Sequence, residues 1–333
     1  MSAHDEVLRV DGLVVEAATG RRKLALVRGV SLSVSVGRTL CLVGESGSGK
    51  TITALALMRL LAGGLHVRTG EAALEGRPIE LDGRQGPPPG LAMIFQEPMT
   101  ALNPAFTIGD QIVEALRIHR KMAKREARAE ALRLLEEVGI VDAPARLSAY
   151  PHQLSGGMRQ RVVIAIALAC GPKVLIADEP TTALDVTVQA QILRLFRELQ
   201  TGHGLGMILV THDMGVVSTA GDDVAVMYAG QVVEAGSVRQ VLEEPKHPYT
   251  QALLACMPSM PAVDGPPEPP EALAEIAGIV PPPMDWGTGC TFAPRCPFVR
   301  PECHLKAPRQ VGLGEGRSVA CWLYQEQREQ EDE

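Results

Sequence analysis

The stretch TLCLVGESGSGKT, residues 39–51, constrains the fold more than any other part of the chain. The apolar run Leu40 to Val43 reads as a buried strand. It breaks at Gly44, passes Gly47 and Gly49, and gives way to a helix that starts near Lys50 and is expected to run to about Leu61. Glycines let the backbone bend until several N–H groups point at one anion, and a helix N-terminus adds its positive dipole end. Gly44–Thr51 fits the spacing G-x-x-x-x-G-K-S/T, with Glu45, Ser46 and Ser48 between the glycines. The flanking strand and helix set aside a chance Gly-rich turn. The segment therefore asks for a polyphosphate, with Lys50 reaching the β- and γ-phosphates and Thr51 ligating Mg²⁺.

The rest of the chain supplies a fold for such a loop. Residues 7–43 read as short strands, and GEAALEG and GLAMIF as two more. From residue 97 to about 154 the pattern turns helical, with Ala127, Ala131, Leu134, Leu135 and Val138 at helical spacing. Then follow a helix at 157–169, the strand KVLIAD, a helix at 187–200, and the strands MILVTH, DVAVMYA and QVVEAG. Apolar strands alternating with helices imply a parallel sheet covered on both faces. Nine prolines fall within residues 258–283, a stiff extended linker. A cysteine-bearing tail beyond it reads as an appendage on the core.

VLIADEP, Val174–Pro180, ends an apolar strand in two carboxylates. Alone, such a pair is more often a solvated turn. Beside a phosphate loop, Asp178 suits the Mg²⁺ shell and Glu179 suits a water-orienting or water-deprotonating role.

With these residues in hand, LSGGMRQR, Leu154–Arg161, resembles the signature motif of ABC-transporter ATPases, one position altered from the usual LSGGQ. Gln96 in IFQEP resembles the family's Q-loop glutamine. Ala183-Leu184-Asp185 resemble its D-loop, and His212 in LVTHD its switch histidine. The order and spacing of these motifs match the family over about residues 7–245. The resemblance implies an α/β P-loop NTPase (RecA-like) core, an antiparallel β subdomain, a helical signature subdomain and, here, a small Cys-containing C-terminal extension. It implies that Glu179, His212 and Gln96 serve catalysis. It also implies that Gln96 joins Thr51 and Asp178 around Mg²⁺, and that Asp185 belongs to the nucleotide site. Ser155, Gly156 and Gly157 would cap ATP held by a second ATPase subunit, homologous or identical, so two chains must close face to face.

One departure stands out. The family places an aromatic ring upstream of the P-loop to stack on adenine, yet no Phe, Tyr or Trp precedes Phe95. Val15 or Glu16 falls where the ring is expected, which leaves aliphatic side chains or the guanidinium of Arg21 or Arg22. The lost stacking is worth about 1 kcal/mol, so base discrimination should be weak.

FQEPMTALNP (95–104) and KHPYTQALL (246–254) resemble the peptide and nickel importer branch. HPYT reads as a turn into a helix, with no chemistry of its own. The resulting division is an ATPase domain at 5–245 with a helical part at 97–155, an HPY-type helix at 246–257, a linker at 258–283 and a tail at 284–325.

The tail holds Cys290, Cys296, Cys303 and Cys321, spaced C-x5-C-x6-C-x17-C. The start of the chain lacks the basic-then-apolar pattern of a signal peptide, and thiols kept in the cytosol stay reduced, so a cysteine cluster there suggests metal rather than disulfides. The importer branch associates a similar set with a 4Fe–4S cluster. The spacing departs from the short C-x2-C pairs common at structural zinc sites, although Zn²⁺ stays open as the alternative. His304 reads as a bystander, and Cys41, Cys170 and Cys256 as core fillers.

A net charge of -7 argues against general nucleic-acid binding, and no apolar run reaches membrane-spanning length. By resemblance, the chain is an ATPase powering import of di- or oligopeptides, with nickel or another small solute as the alternative. Its partners are a second ATPase subunit, two permeases that contact the helical region, and an extracytoplasmic solute-binding protein. It would sit peripherally on the cytoplasmic face of the inner membrane. A non-transport ABC ATPase would carry coiled-coil inserts, two cassettes or basic arms, none of which the sequence has. A redox-sensing regulator would use the tail.

Overall fold

The computed structural model describes residues 6–19, 22–82, 86–96, 101–182, 184–256 and 276–325. Alternating apolar residues near the start pair into a four-stranded antiparallel sheet, ordered β2-β1-β4-β5. Its strands are β1 (Glu6–Thr19), β2 (Arg22–Ser35), β4 (Leu65–Leu74) and β5 (Arg77–Ile79). β1 and β2 run 14 residues each, longer than the sequence pattern suggests. Register shifts between Val10 and Leu13, and between Val15 and Glu16, re-aim the ladder without ending it.

The second sheet has eight strands, ordered β11-β12-β10-β9-β3-β8-β7-β6. They are β3 (Thr39–Val43), β6 (Leu91–Ile94), β7 (Val174–Asp178), β8 (Gly206–Thr211), β9 (Asp223–Tyr228), β10 (Gln231–Ser237), β11 (Val311–Gly314) and β12 (Arg317–Val319). The five strands from β9 to β6 are parallel, and every residue of β3, β7 and β8 is buried. Alternate residues feed opposite faces. Cys41 and Val43 join the core under the helices, while Leu40 and Leu42 join the core shared with the antiparallel sheet.

The sheet is not parallel throughout, as the strand-helix alternation had implied. Ala229 (φ 46°) and Gly230 (φ 77°) make a two-residue turn with both central residues left-handed, which returns β10 antiparallel to β9. Nor is the tail an appendage. β12 pairs with β10, Glu234 opposite Val319, and β11 pairs with β12, so the tail completes the sheet edge.

Helices cover the sheet. α1 (Lys50–Leu57) stops short of the expected Leu61. Arg59 turns left-handed at φ 57°, its N–H bonds Ala56 O, and the Leu60 N–H reaches Leu55 O, which closes the helix in a Schellman motif. The helical layer comprises α2 (Ile108–His119), α3 (Lys124–Glu137), α4 (Ala143–Arg146) and α5 (Gly156–Ala169). Ala127, Ala131, Leu134, Leu135 and Val138 are all buried there. α6 (Val186–His203), α7 (Met214–Ala220), α8 (Val238–Glu243), α9 (Pro248–Ala255) and α10 (Pro301–Leu305) follow.

Two buried contacts tie the tail down. The Arg317 guanidinium donates to Glu234 Oε1 at 2.9 Å, and Glu234 also accepts the N–H groups of Lys246 and His247 at 2.9 and 2.8 Å. Phe292 packs its ring 5.2 Å from that of Tyr228 and 5.4 Å from that of Tyr249. Among the described residues no helix is long and apolar enough to cross a membrane.

Candidate functional site

The glycine-rich loop sits between β3 and α1, where the sequence puts it. Gly44 has φ 149°, and a Cβ there would come within 2.2 Å of Met227 O. Only glycine fits that close approach. Gly47 (φ 79°) and Gly49 (φ 103°) supply the remaining bends, with Gly49 capping α1. Ser46 and Gly47 are exposed at the loop tip, while Ser48 is buried.

Lys50 is buried, and its ammonium folds back along the loop. It donates to Gly44 O at 2.7 Å and Glu45 O at 3.0 Å, with Ser48 Oγ at 3.5 Å. Burial draws its pKa down, against the opposing pull of Glu179, Asp178 and Glu45. A cation held by neutral loop oxygens, with no carboxylate paired to it, is ready to exchange them for phosphate oxygens.

Asp178 closes β7 next to Thr51, whose hydroxyl donates to Asp178 Oδ1 at 3.3 Å. Burial raises the Asp178 pKa, partly countered by that hydrogen bond. Glu179 stands at the strand end with φ 46°, a strained left-handed position for a residue with a Cβ. Its carboxylate gathers three side chains: Gln96 Nε2 at 2.9 Å, Thr182 Oγ1 at 3.0 Å and His212 Nδ1 at 3.0 Å. Burial alone would raise its pKa. The hydrogen bonds from His212 and Thr182, with the charges of His212 and Lys50, outweigh it and leave the carboxyl lowered. Gln96, Thr51, Asp178, Glu179 and His212, from four separate stretches of sequence, thus form one polar cluster beside the loop.

Ser155, Gly156 and Gly157 open α5 in a different setting. Ser155 Oγ caps the helix by accepting the Met158 N–H at 3.4 Å, and a Cβ at Gly156 would meet no described atom within 4 Å. A Cβ at Gly157 would lie 2.9 Å from Val188 Cγ1. Asp185 caps α6, its Oδ1 accepting the Val188 N–H at 2.9 Å. Ala183 lies outside the described residues.

The positions expected near adenine offer no platform. Val15 is fully buried in the core, and Glu16 is buried against Arg68, whose Nη1 donates to it at 2.7 Å. Arg21 lies outside the described residues, and the Arg22 side chain is not described. An aromatic does approach from the tail. Trp286 lies under the Arg28 guanidinium, 4.6 Å from ring centroid to carbon, and against Gly230, which abuts Gly49.

Cys290, Cys296, Cys303 and Cys321 line a single small cavity, closed by His247, Phe292, Phe298, Trp322 and Leu323. Burial raises the pKa of Cys290 and Cys296 and pushes Cys321 up to about 11. Backbone N–H groups directed at the sulfurs oppose it: Phe292 and Ala293 at Cys290, Phe298 at Cys296, Leu323 at Cys321. Among the described residues no group of three or more His, Cys, Asp or Glu side chains is disposed to hold a single metal ion. Cys41 is fully buried, whereas Cys170 and Cys256 are only half buried.

Sequence reasoning missed the residues that grip the loop from outside. Tyr249, in the HPYT stretch read as a turn into a helix with no chemistry of its own, accepts the Glu45 N–H at 2.8 Å, and Arg295 Nη1 meets Glu45 Oε2 at 3.1 Å. Thr182 also went unnoticed, although its place three residues after Glu179 was a usable signal.

Residues 27–182 match the family described as "ABC transporter", and residues 233–303 match "Oligopeptide/dipeptide transporter, C-terminal region". The chain is 46% identical over 331 residues to the oligopeptide transport ATP-binding protein AppD of Bacillus subtilis (strain 168), covering 96% of this chain and 98% of AppD. It is 53% identical over 270 residues to the glutathione import ATP-binding protein GsiA of Escherichia coli (strain K12), covering 78% of this chain and 43% of GsiA. The fold resembles the dimeric post-hydrolysis structure of the ATP-binding cassette MJ0796 bound to ADP and Pi. The TM-score is 0.59 at 26% identity, covering 70% of this chain and 99% of that one.

Proposed function

Because the chain belongs to the ATP-binding subunits of ABC transporters, in the branch with an oligopeptide/dipeptide transporter C-terminal region, we propose that it powers import of di- or oligopeptides. The ATPase activity belongs to the family, with ATP and water as its reactants and Mg²⁺ as its cofactor. AppD and GsiA, named for oligopeptide and glutathione transport, support a peptide cargo. Nickel or another small solute is the alternative, and neither AppD nor GsiA is named for it.

One observation carries the mechanism: the Glu179 carboxylate, kept ionised, stands among Gln96, Thr182 and His212 beside the Thr51–Asp178 pair. Lys50 would leave the loop carbonyls for the β- and γ-phosphates. Thr51, Asp178 and Gln96 would complete the Mg²⁺ shell. Glu179 would orient or deprotonate the attacking water, with His212 holding the carboxylate in place. Asp185, at the cap of α6, would sit at the dimer seam. Ser155–Gly157 would cap the nucleotide of a second ATPase subunit. The exposure of that helix end and the dimeric MJ0796 relative support this. With Val15 in the core and Glu16 paired, base discrimination should be weak, so ATP and GTP should turn over at comparable rates.

The permeases would dock on the helical part, within 97–155 of the ATPase domain 5–245. A groove of about 570 Å³ there, lined by Phe106, Gln111 and Ile118 among others, supports that surface. The chain would then lie peripherally on the cytoplasmic face of the inner membrane, and an extracytoplasmic solute-binding protein would deliver the cargo. Beyond the HPY-type helix at 246–257 and the linker at 258–283, the tail at 284–325 would hold a structural 4Fe–4S cluster. The four thiols around one cavity, with backbone N–H groups at the sulfurs of Cys290, Cys296 and Cys321, fit such a group. A bound cluster would keep all four sulfurs as thiolates. Zn²⁺ is the weaker alternative, because the spacing of the four cysteines departs from the short C-x2-C pairs common at structural zinc sites.

Co-expression with candidate permease subunits of a peptide importer tests the reading. The chain should co-purify with permeases, and turnover should rise with a peptide-loaded binding protein. Peptide-independent turnover with nickel-dependent stimulation would replace the cargo. For the tail, anaerobic purification should yield brown protein with about four irons per chain. Stoichiometric zinc without iron would reverse that assignment.

A further inference from the structure

Stretches far apart in the sequence converge on one P-loop residue, Glu45. Its N–H donates to the Tyr249 hydroxyl at 2.8 Å. Its carbonyl accepts the Ser48 N–H at 3.2 Å and the Lys50 ammonium at 3.0 Å. Its carboxylate Oε2 meets Arg295 Nη1 at 3.1 Å, while Oε1 is buried without a hydrogen-bond partner among the described residues. Every polar group of the residue but one is therefore taken. Two of the partners, Tyr249 and Arg295, lie beyond the nucleotide fold.

Arg295 is rigidly held. Its side chain is 6% exposed. Its Nε and Nη2 donate to the carbonyls of Ala277, Ile276 and Gly278, and Nη1 reaches the Tyr228 hydroxyl at 3.4 Å. The guanidinium also lies 5.8 Å from the Tyr228 ring and 5.9 Å from that of Phe292. Its bonds to residues 276–278 already serve the fold of the tail. The bond to Glu45 reaches beyond those residues, into the loop. Tyr249 is fully buried, edge-on to Tyr228 with ring centroids 4.6 Å apart, so its hydroxyl is equally fixed. A planar guanidinium and a packed phenol are both preorganised, so little freedom is lost when they hold a partner.

We propose that Arg295 and Tyr249 are positioning residues for phosphate binding. By holding Glu45 from outside the nucleotide fold, they set where the Glu45 carbonyl, and hence the Lys50 ammonium, stands when the polyphosphate arrives. The proposal rests on the ATPase reading above and deepens it. The tail becomes part of the nucleotide site at one remove, touching the loop without touching the nucleotide. The HPYT stretch thereby acquires a role. Pro248 opens α9, the His247 ring accepts the Tyr249 N–H at 3.0 Å, and the phenol is aimed at the loop.

The test is a double-mutant cycle on the intact chain, reading equilibrium MgATP binding and steady-state turnover. Glu45→Gln and Arg295→Met should each raise Kd and KM for ATP about tenfold, the scale of a lost charge-assisted hydrogen bond, with kcat within about twofold. The double variant should be no worse than either single variant, because both remove the same grip. Arg295→Lys should recover part of the loss, and Tyr249→Phe should shift KM the same way by a smaller factor. Additive effects, or a lowered melting temperature with unchanged KM, would overturn the proposal. If Arg295→Met disrupts the tail, seen as faster labelling of its thiols, Glu45→Gln decides alone, since it keeps every side chain of the tail and its thiol labelling should match the parent's. A wild-type chain that neither binds nor hydrolyses ATP would instead refute the function reading.

Discussion

Two glycine-marked helix starts, α1 and α5, carry the nucleotide contacts proposed above, and the chain treats them in opposite ways. At α1 the glycines are explained from within: a Cβ at Gly44 would strike Met227 O at 2.2 Å, and one at Gly49 would meet Gly230 Cα and Leu26 O at 3.3 Å. The loop is enclosed by β9, β2 and the tail, and its lysine is buried. At α5 the start of the helix is exposed, and Gly156 has nothing described within 4 Å. Glycine is a poorer helix former than alanine, by up to about 1 kcal/mol in a helix interior and less at this first turn, and no described atom packs against the position. An open helix start fits the proposed approach of a second subunit. On that reading, the contrast separates what one chain completes for itself from what it offers to another.

The largest effect should follow from closing the first of these two starts. Gly44→Ala puts a methyl into a backbone carbonyl at a φ that residues with a Cβ rarely adopt. The combined overlap and strain should cost about 3 kcal/mol or more. A thermal melt should show a destabilised chain, and ATP binding should vanish. A folded Gly44→Ala protein with normal affinity would mean that the loop does not seat the phosphates as proposed.

Next in size is Glu179→Gln, which keeps the side-chain shape and removes the charge. Gln96, Thr182 and His212 would still surround the position, so nucleotide binding should survive. Turnover should fall about a thousandfold, within the usual range for a lost general base. The variant should accumulate as an ATP-bound dimer in size-exclusion chromatography, because closure needs binding and reopening needs hydrolysis. Parent-rate turnover would remove Glu179 from the chemistry.

The two helix starts also differ in how much of them could be read from the sequence. The P-loop, the DE pair and the signature were legible because each is short, contiguous and bounded by a strand or a helix. The long parallel strands were legible as unbroken apolar runs. What stayed hidden depended on contacts between distant residues. Glu45 and Arg295 are 250 positions apart, and nothing around PRC in the tail announces a partner in the loop. The strand Arg317–Val319 has three residues and no apolar alternation, yet it joins the main sheet through Glu234. The antiparallel return of β10 hangs on Ala229 in a left-handed turn position usually filled by Asn, Asp or Gly, so the sequence carried half the signal. The end of α1 turns on Arg59 in the same conformation, again without the glycine that marks such ends.

The smallest effect on the isolated chain, and the sharpest test of the contrast, belongs to Gly156→Ala. Nothing described in the chain resists the methyl, and alanine favours the helix, so the melting temperature should hold or rise, by up to about 1 kcal/mol in stability. ATP binding to the monomer at Lys50 should be unchanged, because α5 supplies none of the contacts around that ammonium. Turnover should nevertheless drop about tenfold, as expected when a methyl disturbs one preorganised contact to the reacting phosphate. The loss should track assembly. Mixing the variant with an excess of a Lys50→Ala chain, whose own loop is disabled but whose Ser155–Gly157 is intact, should restore activity to the variant's nucleotide. That rescue requires the capping end to act across the interface. If Gly156→Ala were silent in the assembled protein, or if its defect persisted undiminished in the mixed dimer, the glycine would answer to its own chain after all, and the two helix starts would differ only in exposure.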